Sequence, residues 1–178
     1  MYSLSLLLDL LGNSTITNLC PVYSPFFGSF GIALAMCLTN LGSAYGIAKS
    51  SLGISSLGVM KPEAVMKGIL PVIFAGIIPI YGIIISIMIV SHLKLGYSLL
   101  SSFLDLAAGL TVGLSGVAAG MSIGIAGDAG VRAVAQQPRM YVPMVLILIF
   151  SEALGLYGTI VSILLATGGS GKDTCVEA

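Results

Sequence analysis

Apolar residues fall in four long runs, at about 26–48, 68–90, 100–127 and 141–166, with polar residues gathered between them. Each run holds the roughly 20 residues that a helix needs to cross about 30 Å of hydrocarbon. The pattern therefore predicts four transmembrane helices. Pro71 and Pro79 fall inside the second run. Membrane helices tolerate proline where neighbours satisfy the freed carbonyls, so a bend is expected there. A fifth apolar stretch, Leu4 to Leu11, is short, is broken by Asp9 and leads into polar residues up to Asn18. It lacks the basic start and small-residue cleavage site of a signal peptide and reads as an interfacial helix or a disordered extension. Asn13-Ser14-Thr15 within it fits a glycosylation sequon.

The second pair of runs repeats the first. Gly31, Ala35, Gly42 and Gly46 return as Gly109, Gly113, Gly120 and Gly124, a constant offset of 78. Pro62 and Tyr81-Gly82 return as Pro138 and Tyr157-Gly158 at an offset of 76. The expected architecture is an all-α membrane protein of two tandem helical hairpins in the same orientation. The divisions follow as an N-terminal extension at 1–24, hairpins at 25–92 and 93–167, and a C-terminal tail at 168–178.

Composition agrees with a membrane protein. Charged residues make up 8% of the 178, against about 25% in soluble domains, and mean hydropathy is +1.09. Such a chain cannot cover a water-facing surface. Its formal net charge is zero, which removes the electrostatic basis for nucleic-acid binding. Cys20, Cys37 and Cys175 have no metal-ligand spacing, and no metal or cofactor is implied. Lys49, Lys61, Lys67, Arg132 and Arg139 flank the first and third connections, against Lys94 and Lys172 elsewhere. The positive-inside bias puts those two connections in the cytoplasm and both termini in the lumen or exterior.

One ionisable residue, Glu152, stands mid-way along the fourth run. An ionised carboxylate there costs at least about 2.5–3.5 kcal/mol, and no nearby cation in the sequence offsets it. A neutral, protonated carboxyl is cheaper. A group that is neutral in lipid and ionised where water or a cation reaches it can carry a proton. The plain alternative is a residue that only hydrogen-bonds between helices, a task Ser, Thr or Asn does at less cost. Sodium needs several oxygen ligands, and the sequence offers few. Gly76, the repeat counterpart of Glu152, has no side-chain oxygen around it, Ser151 is adjacent, and Thr111 and Ser115 are candidates at similar depth. Tyr81 and Tyr157 are candidate hydrogen-bond partners for the carboxyl.

The steps of Gly109, Gly113, Gly116, Gly120 and Gly124 put small residues along one face, where backbones can approach closely. They serve either helix pairing within one chain or an inner ring of the first and third spans, with the second and fourth spans outside and Glu152 towards lipid. Asp105 and His92 read as isolated interfacial residues. Asp128 and Arg132 are spaced to pair at i,i+4.

Several motifs carry a family resemblance. They include Tyr23-Ser24-Pro25-Phe26-Phe27-Gly28, Met60-Lys61-Pro62-Glu63 and Ala75 to Gly82. Ala44-Tyr45-Gly46, Gly113-Leu114-Ser115-Gly116, Gly127-Asp128-Ala129-Gly130-Val131-Arg132, Ala135-Gln136-Gln137-Pro138-Arg139 and Glu152-Ala153-Leu154-Gly155-Leu156-Tyr157-Gly158 complete the set. Over Tyr23 to Ala166 the chain resembles the c-type proteolipids of eukaryotic vacuolar-type proton-translocating ATPases (V-ATPases). The resemblance implies a non-catalytic member of a homo- or hetero-oligomeric rotor ring in a vacuolar or other endomembrane. It puts the family's proton-carrying carboxylate on Glu152. It further implies a static, a-type membrane subunit supplying an arginine and two half-channels, and central-stalk subunits seated on loops around 49–65 and 128–140. Glutamate in the fourth span, with glycine at the matching point of the second, fits the c type and not the c-double-prime type. A structural pore-forming proteolipid and a sodium-coupled ring component stay open as alternatives. The N-terminal extension and the tail depart from the family pattern.

Overall fold

A computed structural model describes residues 21–93 and 97–169. Asn13, Cys20, Lys94, Lys172 and Cys175 lie outside the described residues, and with them most of the expected N-terminal extension and tail. The described residues form four long helices: α1 (Ser24–Met60), α2 (Leu70–His92), α3 (Leu99–Gln136) and α4 (Tyr141–Gly169). All four are long and apolar enough to cross a membrane.

Helices α1 and α3 are longer than their apolar runs predict. They have 37 and 38 residues, or about 55 Å each, well beyond the hydrocarbon thickness. The fall in hydropathy after Ala48 and Gly127 marks where the helix leaves lipid, and the backbone continues as helix in water. What ends each helix is proline. Pro62 and Pro138 push the preceding residue out of the helical region, and Lys61 (φ −146°, ψ 85°) and Gln137 (φ −136°, ψ 110°) adopt extended conformations. Much of the loops expected at 49–65 and 128–140 is therefore helix. Pro71 falls in the first turn of α2, where a missing N–H costs nothing, and Pro79 alone is interior. At the other end, Ser98 caps α3 by accepting a bond from the Ser101 N–H at 3.2 Å.

The most extensive packing is between α1 and α3, which run parallel at the centre. Repeat-equivalent glycines meet across this seam: Gly109 lies on the Gly31 backbone, Gly120 on Gly42 and Gly124 on Gly46. A Cβ at Gly46 would sit 2.8 Å from the Gly120 carbonyl oxygen, so the two backbones are in direct contact. Gly113 accommodates Leu38, and Gly116 accommodates Thr39 and Ile78. The ladder is thus occupied by packing within the chain. Helix α2 packs on α1 and α3, and α4 on α3 and α2, so α2 and α4 lie side by side. Leu57, Ile78, Ile123, Val131 and Leu148 fill the core towards the proline turns, and Ala35, Ile85, Ile89 and Val112 fill it towards the α2–α3 connection. The outer faces of α2 and α4 stay apolar and open, with Ile73, Ile80, Ile87, Phe150, Leu154 and Leu164 all exposed. Lipid is the solvent that such faces require.

Gly120→Leu forces side-chain atoms into the Gly42 backbone and is expected to destabilise the folded chain by about 1–3 kcal/mol or more. Gly76→Ala, which enters open space, is the control. Thermal unfolding in detergent should show a lowered midpoint for the first and little change for the second.

Candidate functional site

Tyr81 of α2 stands beside Gly155 of α4, three residues or about 4.5 Å along the axis from Glu152, a gap that its long side chain spans. Because α2 and α4 run side by side in the same direction, the two side chains meet mid-membrane. The Tyr81 hydroxyl donates to Glu152 Oε1 at 2.6 Å. The ring packs beside Gly155, one turn along α4, where a Cβ would be in ordinary contact 3.5 Å from Tyr81 Cε2.

Glu152 is only 7% exposed. It is turned into the crevice between α2 and α4, beneath Tyr81, and not outward. In this single chain the expected lipid-facing placement gives way to a covered one. The reason is the phenol, which offers the carboxyl a hydrogen bond that lipid cannot. Oε2 is buried and has no hydrogen-bond partner among the described residues. No ion pair to Glu152 exists among them either. A buried charge with one donor and no cation is far costlier than a neutral carboxyl in the same place. The geometry suits a protonated acid.

Other sequence candidates fall elsewhere. Ser151 faces α3, where its Oγ accepts a bond from Ser122 Oγ at 2.7 Å. Tyr157 is 64% exposed on the outer face of α4, and the bond to Glu152 comes from Tyr81 instead. Gly76 is exposed with no atom within 4 Å of a Cβ built there, so the counterpart of Glu152 in α2 points outward. Thr111 and Ser115 do not share the depth of Glu152. Both pack at Gly158, six residues on and about 9 Å away. Helices α3 and α4 run antiparallel, which sets Ser115 against Gly158 and Ser122, seven residues on, against Ser151. Sequence reasoning missed Ser122, which looks like any small residue of the glycine-rich face. The few oxygens near Glu152 make a poor cage for a hard cation. Among the described residues no group of three or more His, Cys, Asp or Glu could hold a metal.

Two further clusters formed. Arg132 Nε donates to Asp128 Oδ1 at 2.9 Å, as the spacing predicts, and Lys49 Nζ of α1 lies 4.0 Å from Oδ2. The pair joins the extensions of α1 and α3 beyond the bilayer. Asp105 and His92, expected to be isolated at the interface, are in contact: Asp105 is 1% exposed and His92 Nδ1 lies 3.3 Å from its carboxylate. The residues are 13 apart on different helices, so no local pattern announces them.

Comparison with known proteins matches both hairpins to one family. The family of the ATP synthase C subunit matches residues 30–89 and again 106–165, one match in each hairpin. A V-type proton ATPase proteolipid subunit of Dictyostelium discoideum is 61% identical over 85% of this chain and 79% of its own length. A V-type proton ATPase 16 kDa proteolipid subunit of Entamoeba dispar is 57% identical over 91% of this chain and 92% of its own. The 16 kDa c-type proteolipid of the V-type proton ATPase of Rattus norvegicus is 57% identical over 83% and 95%.

Tyr81→Phe removes the one donor to Glu152 among the described residues and should raise the rate of carbodiimide labelling at Glu152 about five- to tenfold, the weight of one hydrogen bond. Tyr157→Phe should leave the rate unchanged. Mass spectrometry of the adduct reads both.

Proposed function

The chain belongs to the ATP synthase C-subunit family, and from that premise we propose that it carries protons on Glu152 in the membrane rotor ring of a V-type ATPase. The observation that carries this reading is a buried mid-membrane carboxyl with no cation, held by one tyrosine hydroxyl on the adjacent helix. Its relatives' names supply the proton and the pump.

In this mechanism the neutral acid crosses the lipid-facing arc of the ring. The Tyr81 hydroxyl keeps it folded into the α2–α4 crevice, with its polar atoms away from hydrocarbon. An arginine of a static membrane subunit then offers a cation, which no described residue of this chain brings to Glu152. Glu152 turns outward, ionises and forms an ion pair, and its proton leaves through an aqueous half-channel. A second half-channel reprotonates it. Opening costs one hydrogen bond, about 1 kcal/mol net, so the ion pair can readily drive it. The chain is a non-catalytic subunit, and ATP hydrolysis belongs to other subunits of the pump.

The parallel glycine seam supports an inner wall of α1 and α3, with α2 and α4 outside. The extensions of α1 and α3, joined through Asp128, stand clear of the bilayer and suit the seating of a central stalk. Their lysines and arginines support a cytoplasmic location for that end, with both termini lumenal in an endomembrane.

Glu152→Gln, which cannot ionise, should abolish ATP-driven acidification in reconstituted vesicles while the ring still assembles. Persisting acidification with an intact ring overturns the assignment. An epitope fused after Ala178 should resist protease in sealed vesicles whose ATP sites face outward; digestion there overturns the orientation.

A further inference from the structure

Hydroxyl groups inside a membrane helix commonly satisfy themselves by bonding back to their own backbone. Thr39, Thr111, Ser115 and Thr159 do so, each donating to a carbonyl three or four residues earlier. Ser122 instead donates across to α4. Its Oγ lies 2.7 Å from Ser151 Oγ, and Ser151 is the residue that immediately precedes Glu152.

This contact belongs to a continuous stripe. Ser151, Gly155, Gly158 and Ser162 follow one another at steps of four, three and four, which places them on one face of α4. Each of them meets α3. Ser151 meets Ser122, and a Cβ at Gly155 would be 3.4 Å from the Ala119 Cβ. Gly158 seats Ser115, and Ser162 Oγ donates to the Ala108 carbonyl at 2.9 Å. Glu152 comes one residue after Ser151, about 100° around the axis, and so points off the stripe towards α2. The rotational setting of α4 on α3 therefore decides whether the carboxyl lies under Tyr81. Among the described residues the two serines make the one hydrogen bond between α3 and α4 within a turn of Glu152. The other such bond, from Ser162, is ten residues away along α4.

We propose that Ser122 is a positioning residue for Glu152: by holding Ser151 it fixes the rotation of α4 on α3 and keeps the carboxyl within reach of the Tyr81 hydroxyl. Its value to the pump rests on the proton-carrying role of Glu152 proposed above.

Geometry explains why one weak bond matters here. A carboxyl about 6 Å from the helix axis moves about 3 Å when the helix turns by about 30°. That is the whole length of a hydrogen bond, so a small rocking of α4 would separate Glu152 Oε1 from the Tyr81 hydroxyl. Gly155 and Gly158 present no side chain to resist such rocking. The hydroxyl pair supplies the restraint at the level where it counts, and the seats of Gly158 and Ser162 keep the helix packed without it.

The test is a double-mutant cycle, read by carbodiimide labelling of Glu152 in the full chain assembled in lipid. Ser122→Ala should raise the labelling rate about threefold, the weight of an average interhelical hydrogen bond in a membrane. Ser122→Thr, which keeps the hydroxyl, should restore the original rate. Ser115→Ala, which removes a hydroxyl bonded to its own helix, should change nothing. In a Tyr81→Phe background Ser122→Ala should add no further rise, because the contact through which it acts is already gone. The infrared carbonyl band of protonated Glu152 should shift in Ser122→Ala towards its position in Tyr81→Phe. Ser151→Ala removes the same bond from the other helix and takes its place if Ser122→Ala does not assemble. An unchanged rate in both alanine variants, or a threefold rise that persists on top of Tyr81→Phe, overturns the proposal. Acidification by Glu152→Gln overturns the pumping role alone, since the cycle reads where the carboxyl sits and not transport.

Discussion

Backbone-to-backbone contact between α1 and α3 is the constraint on which the remaining architecture rests. Lipid supplies no hydrophobic force to press two membrane helices together, so their association depends on close packing. Glycine meeting glycine at 31 and 109, 42 and 120, and 46 and 124 removes every side chain from those points of the seam. The parallel pair then fixes the positions open to α2 and α4. Each packs on this spine, and the two come to lie side by side in the same direction. Tyr81 and Glu152 are brought within reach of each other by that placement, not by any contact local to either helix.

Duplication makes the frame symmetric, and function uses its departures from symmetry. Pro62 and Pro138 end equivalent helices in the same way, and equivalent glycines face one another. The pair Gly76 and Glu152 breaks the pattern. Gly76 is open to the outside, whereas Glu152 is folded inward under the tyrosine of the other hairpin. Tyr157, the repeat partner of Tyr81, stands exposed on the outer face. One hairpin therefore supplies the acid and the other its hydroxyl donor. A single hairpin would hold only half of the arrangement.

The His92–Asp105–Tyr97 group is chemically the opposite of the Glu152 site. Among the described residues Glu152 has one neutral donor and no cation, which suits the proton exchange proposed for it. Asp105 has a tyrosine hydroxyl and an imidazole among its partners, contacts that tie α2 and the connection to α3. Burial is similar at both; the donors around each acid decide what it can do.

The four spans, the duplication, the outward-facing apolar surface and the singular position of Glu152 were all legible in the residues. Each depends on periodicity, on composition or on the cost of a charge in hydrocarbon, and those are properties of local sequence. Helix ends were less legible, because hydropathy reports where a chain leaves lipid and not where its backbone stops being helical; proline reported the latter. Which side chains touch Glu152 was decided in three dimensions. Ser151, Tyr157, Thr111 and Ser115 were plausible by spacing, and the rotation of α4 and its antiparallel register against α3 placed them away from the carboxyl. The contact of Tyr81 with Glu152, the place of Ser122 and the pairing of His92 with Asp105 depend on how separate helices pack. The one-dimensional pattern identified the acid, and the packing of α2 against α4 chose its partner, because hydrogen bonding is directional and acts over about 3 Å while hydrophobic periodicity is neither.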